Sequence, residues 1–520
     1  MRTIPVLPRI SGSARRTVAL AVVALTTVAL TACGGDDDGN AGPEDRVEVL
    51  RVGAPGQVGD DLNPLLTNGI ADYTAVFHLY DTLVRLTDDG VELALAESIE
   101  PNDDATEWTI RVRDDAVFHD GEPVTADDVV ASFALMADPE QSPNYAGFFA
   151  DIDIDASRTE DDRTAVIALH RPRGDFVDTV LTFASFVFQA GHTDWRDPIG
   201  SGPYRLESYE PGGTTVLIAH DDHWEGRPTV ERLEITTLDD PAARLNGVRS
   251  DQLDVALRID PVGAAALDED SGNDSGVEII AGGTAFANAM TIVLNTQVPP
   301  FDSLEVRRAI AQAIDREVLV DTVLLGYGAV GNDLVGAGLP GYADDIDQIQ
   351  RDLDAARDVF ADTGVTDMAL VVGDVTPGIV AAGELIVGQL AEAGVTVTLD
   401  RRDPATYYAD FGEFLTRPAQ GIYWVNRPAP AFLGNFTGSN AFFNPSGFGT
   451  PEYDELLATA QAETDPGRRS ELFAEAQRMF HVESGNIVWG FQETLDAAAP
   501  GVEGIRVVQS IPLYSQVTRP

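Results

Sequence analysis

Strand-like and helix-like patterns alternate in the second half of this chain, and the alternation limits its fold more than any other feature. Residues 352–363 and 380–393 carry apolar residues at helical spacing, whereas 368–372 and 395–399 are short apolar runs typical of strands. Such alternation builds βαβ units, in which helices cover a sheet whose strands run mostly parallel. The sequence therefore predicts an α/β fold, with a parallel-leaning sheet in this half.

The charge of the chain excludes two classes of partner. The 520 residues carry a formal net charge of −51, and every basic side chain is arginine or histidine because lysine is absent. A surface this acidic repels nucleic acid phosphates and anionic lipid headgroups. We therefore expect no nucleic acid partner. The length of the chain is a separate constraint, and it allows about two or three domains with sizeable cores.

The first residues have the composition of a bacterial export signal. Four arginines precede an apolar run at residues 18–32, which is too short to span a membrane comfortably. The run leads into residues 30–33 (LTAC), and this ending resembles the lipobox of bacterial lipoproteins. We therefore predict a signal peptide over residues 1–32.

Cys33 is the only cysteine of the chain and stands at the predicted cleavage point. Its position predicts a lipidated first residue that anchors the mature protein on the extracytoplasmic face of the cell membrane. The alternative is a buried structural cysteine that happens to follow a signal peptide. Residues 33–46 are dominated by Gly, Asp and Pro and are predicted to form a flexible tether. A single cysteine excludes disulfides within the chain and any cysteine-rich metal site.

A long motif at residues 108–133 (WTIRVRDDAVFHDGEPVTADDVVASF) combines an alternating strand with a helix. Thr125 and Asp128 predict a capping box at the start of that helix. The motif resembles the signature of the solute-binding proteins of peptide-type ABC importers. These are the extracellular solute-binding proteins of family 5, the group that binds dipeptides, oligopeptides or nickel.

The resemblance covers nearly all of residues 47–500. It includes a sharp turn at residues 200–204 (GSGPY) and a helix within residues 294–320 (LNTQVPPFDSLEVRRAIAQAIDREVLV). Arg307 and Arg308 of that helix could form an anion site, but we favour pairing with nearby acids on a solvated helix face.

The resemblance implies a periplasmic-binding-protein-like fold of the large peptide-binding type, with two α/β lobes, a hinge and an extra subdomain in the first lobe. Closure of two such lobes about a hinge encloses a ligand between them. The implied segments are residues 47–70, 199–283 and 490–520 for the first lobe, 71–198 for the extra subdomain, and 284–489 for the second lobe.

The function implied is the capture of a peptide-like or other small organic solute and its delivery to the permease subunits of an ABC importer. We expect a monomer without a cofactor. Two alternatives remain open, a binder of nickel or another metal chelate and a secreted hydrolase. His119, Asp120 and Glu122 could form a metal or acid/base cluster, but the resemblance implies a turn remote from the ligand. The chain has no G-x-S-x-G, H-E-x-x-H or phosphate-loop motif, so we do not expect an enzyme.

The family places its ligand between the loop after the first strand, the start of the second lobe, the loop after a Trp-containing strand and the final crossing. The resemblance therefore implies a set of nine ligand-binding residues: Gln57, Asn63, Phe286, Asn288, Trp424, Asn426, Arg427, Trp489 and Gln492.

The sequence departs from the peptide binders at one of these positions. In their pattern an aspartate stands three residues after the Trp and binds the amino terminus of the peptide, whereas this chain has Arg427 there. A guanidinium suits a carboxylate, which it can bind with two hydrogen bonds. We therefore predict a ligand that is not a peptide bound through a free amino terminus. The alternative is that Arg427 points away and pairs with a surface acid.

Overall fold

The computed structural model describes residues 46–56, 61–67, 69–143, 145–183, 185–269 and 276–519. The predicted signal peptide, Cys33, nearly all of the predicted tether and Gln57 lie outside the described residues.

The described residues form strands from one end of the chain to the other. In chain order they are β1 Val47–Ala54, β2 Val84–Thr87, β3 Gly90–Leu93, β4 Ala96–Pro101, β5 Glu107–Val112, β6 Ile152–Asp161, β7 Thr164–Leu169, β8 Tyr204–Tyr209, β9 Thr214–Ala219, β10 Val230–Thr237, β11 Val255–Ala256, β12 Glu278–Ala281, β13 Asn288–Leu294, β14 Gly328–Val330, β15 Asp367–Gly373, β16 Thr396–Arg402, β17 Ala419–Val425, β18 Asn486–Gln492, β19 Leu495–Ala498, β20 Arg506–Val508 and β21 Ile511–Leu513.

Helices are concentrated in the second half, as the sequence pattern predicts. They are α1 Ile70–Leu79, α2 Ala126–Ala137, α3 Pro241–Arg249, α4 Pro261–Glu269, α5 Leu304–Ala313, α6 Arg316–Val323, α7 Leu353–Thr363, α8 Ile379–Glu392, α9 Phe411–Thr416, α10 Ala429–Phe436, α11 Pro451–Ala462 and α12 Pro466–Glu483. The predicted alternation is confirmed in α7, β15, α8 and β16, each of which matches its predicted range to within three residues.

The first lobe is built on a seven-stranded sheet with the strand order β12-β19-β11-β1-β10-β9-β8. β1 is central and runs parallel to both of its neighbours, and the remaining pairs are antiparallel. Leu50 and Val52 of β1 are fully buried in the core of this lobe. Strands from three distant parts of the chain thus meet in one sheet.

The second lobe is built on a six-stranded sheet with the order β14-β18-β13-β17-β15-β16. Here the prediction of a parallel-leaning sheet is only half right. β15 is parallel to β16 and β17, but β13 is antiparallel to both β17 and β18. The physical reason is that β13 brings the chain into the lobe and β18 takes it out at the same end, so the two strands must run in opposite directions.

The extra subdomain contains an antiparallel four-stranded sheet with the order β4-β5-β7-β6, against which α2 packs. The predicted capping box at α2 is confirmed, since the carboxylate of Asp128 accepts a 2.7 Å hydrogen bond from the backbone N–H of Thr125. Acidic and apolar side chains alternate at residues 151–155 (DIDID), a period of two that is typical of a strand, and this stretch leads into and begins β6.

The turn at residues 200–204 is pressed against the end of α1. The N–H of Gly202 donates to the carbonyl of Leu79 at 3.0 Å, and a Cβ at Gly200 or Gly202 would collide with the last carbonyls of this helix. His119 belongs to this contact, because its Nδ1 accepts from the N–H of Gly200 and its Nε2 lies 3.1 Å from the carbonyl oxygen of Gly202. The role of this histidine in the fold is therefore to connect the 108–133 motif to the turn.

The interpretation that Arg307 pairs with acids on a solvated helix face is wrong. Its side chain is buried, and it donates to the carbonyl oxygens of Phe301 at 2.7 Å and Glu483 at 2.6 Å. The arginine thus joins the start of α5 to the end of α12.

Two crossings connect the lobes in the described part of the chain. One leads from β12 to β13 and the other from β18 to β19, and the N–H of Gly282 in the first donates to the carbonyl of Thr494 in the second at 2.9 Å. The predicted two-lobe α/β architecture is confirmed. Its exact segment limits stay predictions, although β18 continues to Gln492 and so passes the limit predicted at residue 489. No helix within the described ranges is both long and apolar enough to cross a membrane.

Candidate functional site

Four of the predicted ligand-binding positions meet at one end of the second sheet. Asn288 opens β13 and is paired in register with Val425 on one side and with Gln492 on the other. The loop that carries Asn426 and Arg427 follows directly, and the two crossings between the lobes start from the same end. We call the region where side chains of both lobes meet beside this end the cleft.

Arg427 reaches from this loop into contact with the first lobe. Its guanidinium carbon lies 4.6 Å from the ring centre of Phe436, in its own lobe, and 5.1 Å from that of Phe183, which packs on the core of the first lobe. Nε donates to the carbonyl of Val425 at 3.2 Å. The side chain therefore lies between rings contributed by the two lobes.

The charge of Arg427 is not balanced within the described residues, which place no carboxylate within 4.0 Å of its guanidinium. Nη1 is buried and has no hydrogen-bond partner among them. Burial lowers the pKa of Arg427 to about 10, with a small opposing influence from the Tyr73 hydroxyl. A buried N–H without an acceptor costs about 1–3 kcal/mol, and more when the group is charged. Such an uncompensated group marks a position that a ligand can complete.

Aromatic side chains of the first lobe line the cleft next to Arg427. The rings of Phe148 and Phe183 are stacked with centres 3.6 Å apart, and Phe148 also lies 5.7 Å from Phe436 across the cleft. The hydroxyls of Tyr73 and Tyr145 are 3.3 Å apart. Burial raises the pKa of Tyr73, and the bond to Tyr145 and the charge of Arg427 oppose that rise. We call this group the Arg427 subsite: Tyr73, Tyr145, Phe148, Phe183, Arg427 and Phe436.

Asn426 is occupied by the protein itself. Its Nδ2 donates to the carbonyls of Thr284, Ala285 and Ala337 at 2.8–3.1 Å, and its Oδ1 accepts from the N–H of Gly336 at 2.7 Å. The amide thus fixes the loop that presents Arg427, and it has no N–H left for a solute.

The two tryptophans predicted to offer stacking surfaces are buried instead. Trp489 is 1% exposed in the core between the second sheet and its helices, and Trp424 is 5% exposed and packs against Phe432 and Phe436. Both lie inside strands, where side chains point into the helical layers that cover the sheet. Neither tryptophan offers an exposed stacking face, and Nε1 of Trp424 is buried without a described partner, so their place in the ligand site stays a prediction.

The remaining predicted positions serve local structure as far as the described residues show. Phe286 is 4% exposed and packs with Leu86 and Leu339, and Gln492 donates to the carbonyl of Pro377 at 3.0 Å. Asn63 caps its own turn, since its Oδ1 accepts from the N–H of Leu65 at 2.9 Å. Gln57 lies outside the described residues.

A second buried guanidinium lies near the cleft and was missed by the sequence reasoning. Arg258 has a positive φ of 55°, its Nη2 donates to the carbonyl of Ser510 at 2.7 Å, and its Nη1 is buried without a partner among the described residues. Burial raises the pKa of Tyr423 in the second lobe, and the charge of Arg258 opposes that rise. Only the three-dimensional arrangement identifies this residue, because no motif surrounds it.

The aromatic residues of the Arg427 subsite were also missed. Phe148 and Phe183 stand in apolar stretches that look like any core segment. A ring that faces a solute and a ring that faces the core give the same sequence signal.

Among the described residues no group of three or more His, Cys, Asp and Glu side chains is arranged to hold a metal ion.

Comparison with known proteins agrees with the architecture. A family profile described as "Bacterial extracellular solute-binding proteins, family 5 Middle" matches residues 90–444. Heme-binding protein A of Haemophilus influenzae is 26% identical over 462 residues, which are 80% of this chain and 82% of that protein. A probable D,D-dipeptide-binding periplasmic protein of Escherichia coli is 25% identical over 488 residues, 88% of this chain and 90% of that protein.

A solved structure extends the likeness to the whole fold. The ABC transporter substrate-binding protein CtaP of Listeria monocytogenes superimposes with a TM-score of 0.79 at 20% identity, over 91% of this chain and 99% of that chain. The family profile spans more than half of the chain, and the resemblance inferred from the 108–133 and 294–320 motifs is confirmed. This chain belongs to the bacterial extracellular solute-binding proteins, family 5.

Proposed function

We propose that this protein captures a small organic or peptide-like solute between its two lobes and delivers it to the permease of an ABC importer. The observation that carries the proposal is the pair of adjacent crossings, joined by the hydrogen bond from Gly282 to Thr494. Two lobes connected in this way can rotate about the crossings and enclose a ligand. The family supports this reading, because its members are binding proteins that act outside the cytoplasm.

We propose further that the protein is a lipoprotein attached through Cys33. A short apolar segment followed by LTAC and a polar tether supports this anchor. A single acyl chain binds a membrane weakly, so stable attachment needs the two or three chains of a bacterial lipoprotein. Anchored in this way, the protein would hold its solute near the importer.

The class of solute has to come from this chain's own residues. The relatives are named for ligands as different as heme and D,D-dipeptides, so the shared fold accepts solutes of unlike chemistry. We propose reversible binding without chemical turnover, since a family of binding proteins supports no other activity. A metal chelate is not favoured over other solutes, although one relative is named for heme, and the hydrolase alternative gains no support from these comparisons.

Native mass spectrometry of the full chain, purified in mild detergent, tests the proposal. We expect a species heavier than the polypeptide, and a small molecule that is released unchanged on denaturation. Deletion of the gene should abolish uptake of that molecule by the cell. A chemically altered molecule, or uptake that is unchanged in the deletion strain, would contradict the proposal.

A further inference from the structure

We propose that Arg427 binds an anionic oxygen group of the solute, and that Phe148, Phe183 and Phe436 bind the aromatic or apolar part next to it. The proposal rests on the proposed function, because it concerns the solute held between the lobes. The ligand class is therefore an organic anion with its charge beside a flat apolar group.

The first argument is the way Arg427 is held. A guanidinium can stack on aromatic faces while its N–H groups stay available in its own plane. Phe183 and Phe436 lie on the guanidinium, Val425 accepts from Nε, and Nη1 remains buried without a partner in the described residues. The donors that remain match the fork that binds a carboxylate or a similar oxyanion.

The second argument is that the described residues place no counter-ion beside Arg427, although the chain is rich in acids. The sequence has 85 acidic side chains against 34 arginines, and most arginines of the described structure have a carboxylate within 4.0 Å. Arg307 is also buried without one and its Nε has no described partner, but two backbone carbonyls accept from its Nη groups. Arg427 has neither a carboxylate nor a carbonyl for Nη1 in the part of the chain that is described.

The third argument is what the subsite excludes. An ammonium group placed in the subsite would meet an uncompensated positive charge and no described carboxylate, which is unfavourable in a buried setting. The hydroxyls of Tyr73 and Tyr145 are hydrogen-bonded to each other, so one of the two keeps a proton that it can donate to an oxyanion. The same groups therefore favour an anion and reject a free amino terminus.

Three probes of one skeleton test the inference: N-acetylphenylalanine, which is anionic, its neutral amide N-acetylphenylalaninamide, and phenylalaninamide, which is cationic. Calorimetric titration of the full chain should show the anion binding at least about tenfold more tightly than the neutral amide, and the cation more weakly still. Arg427→Ala should remove this preference, and Arg427→Lys should keep part of it because the charge remains. Arg468→Ala removes an exposed arginine of α12 that pairs with Glu471, and it serves as the matched control.

Equal binding of the anion and the amide, a preference that persists in Arg427→Ala, or no binding of the anion at about 10 mM would each overturn the inference. A solute that copurifies and proves neutral or cationic would overturn it too, but would leave the proposed function intact. Conversely, a chain that prefers the anionic probe but supports no uptake in cells would contradict the proposed function alone.

Discussion

The backbone N–H of Gly174 donates a 2.7 Å hydrogen bond to the carbonyl oxygen of Gln461. Gly174 follows the four-stranded sheet of the extra subdomain, and Gln461 belongs to α11 of the second lobe. Next to this bond, Arg171 donates to the side-chain oxygen of Gln461 at 2.7 Å. The lobes therefore touch at a second place besides the cleft, and this contact depends on the absence of a side chain at residue 174.

Gly174→Ala should hold the lobes apart. A Cβ at this position would collide with the carbonyl of Glu463, which is backbone and cannot swing aside. We expect about a tenfold rise in the Kd for the copurified solute and a larger radius of gyration of the solute-bound protein in small-angle X-ray scattering. Gly388→Ala, in α8, is the control, because a Cβ there meets nothing within 4 Å. An unchanged radius and Kd in Gly174→Ala would show that this contact plays no part in closure.

Arg427→Met should stabilise the solute-free protein while it weakens binding. The substitution keeps an unbranched side chain between the two rings and removes a partly buried charge that has no counter-ion among the described residues, so we expect a gain of about 1 kcal/mol in unfolding free energy. Urea unfolding measures it. Arg307→Met is the matched comparison. It should lower the unfolding free energy by about 2 kcal/mol or more, because it leaves the carbonyl oxygens of Phe301 and Glu483 without their hydrogen bonds from Arg307. A loss of stability in Arg427→Met as large as that in Arg307→Met would contradict the expectation.

Acidification should weaken the fold through buried histidines. Burial lowers the pKa of His78 to about 4 and that of His481 to about 4, and burial with the neighbouring charge of His220 lowers that of His119 to about 3. The unfolded chain binds these protons below about pH 6.5, so the stability is complete above that pH and is lost as the pH falls towards 4. The shift of His78 alone corresponds to about 3 kcal/mol.

Calorimetry in buffers of different ionisation enthalpy checks this, and unfolding near about pH 5.5 should take up protons. Asp333 works in the opposite sense, because burial raises its pKa to about 6 although its ion pair with Arg316 opposes the rise, so its contribution to the unfolding free energy increases on acidification. Net proton release on unfolding at this pH would show that carboxyls of this kind outweigh the histidines.

Cys33→Ser should release the protein from the membrane. The substitution removes the sulfur that carries the lipid, so the processed chain should appear in the soluble extracytoplasmic fraction or the medium. Immunoblotting of cell fractions measures it. Retention of Cys33→Ser in the membrane would show that another segment anchors the chain.

Local elements could be predicted from the sequence wherever short-range physics decides them. α11 and α12 begin at Thr450 and Asp465 caps, each followed by proline, and such signals can be read from the sequence because they act within four residues. The direction of β13 against β18 could not be predicted, since it depends on where the chain re-enters the first lobe almost two hundred residues later.

The site was less accessible to sequence reasoning. Arg427 could be identified from the sequence because it stands where the peptide binders have an aspartate, and a departure of this kind is visible at a single position. Every residue of β18 is buried, so the sequence has no alternation that shows which face of the sheet Trp489 lies on. Phe183 and Arg258 come from segments remote from the predicted loops, and only folding brings them near the cleft.

The register that pairs Asn288 with Gln492 makes the second lobe an insertion whose two ends are neighbours. A gene segment encoding residues 286–493 therefore specifies a body with its own cores on both faces of its sheet and with adjacent termini. Because its two ends are adjacent, replacement of this segment by that of another family member leaves the path of the chain through the first lobe unchanged. A new solute specificity could thus be acquired by recombination at two junctions, while the surfaces of the first lobe stay unchanged.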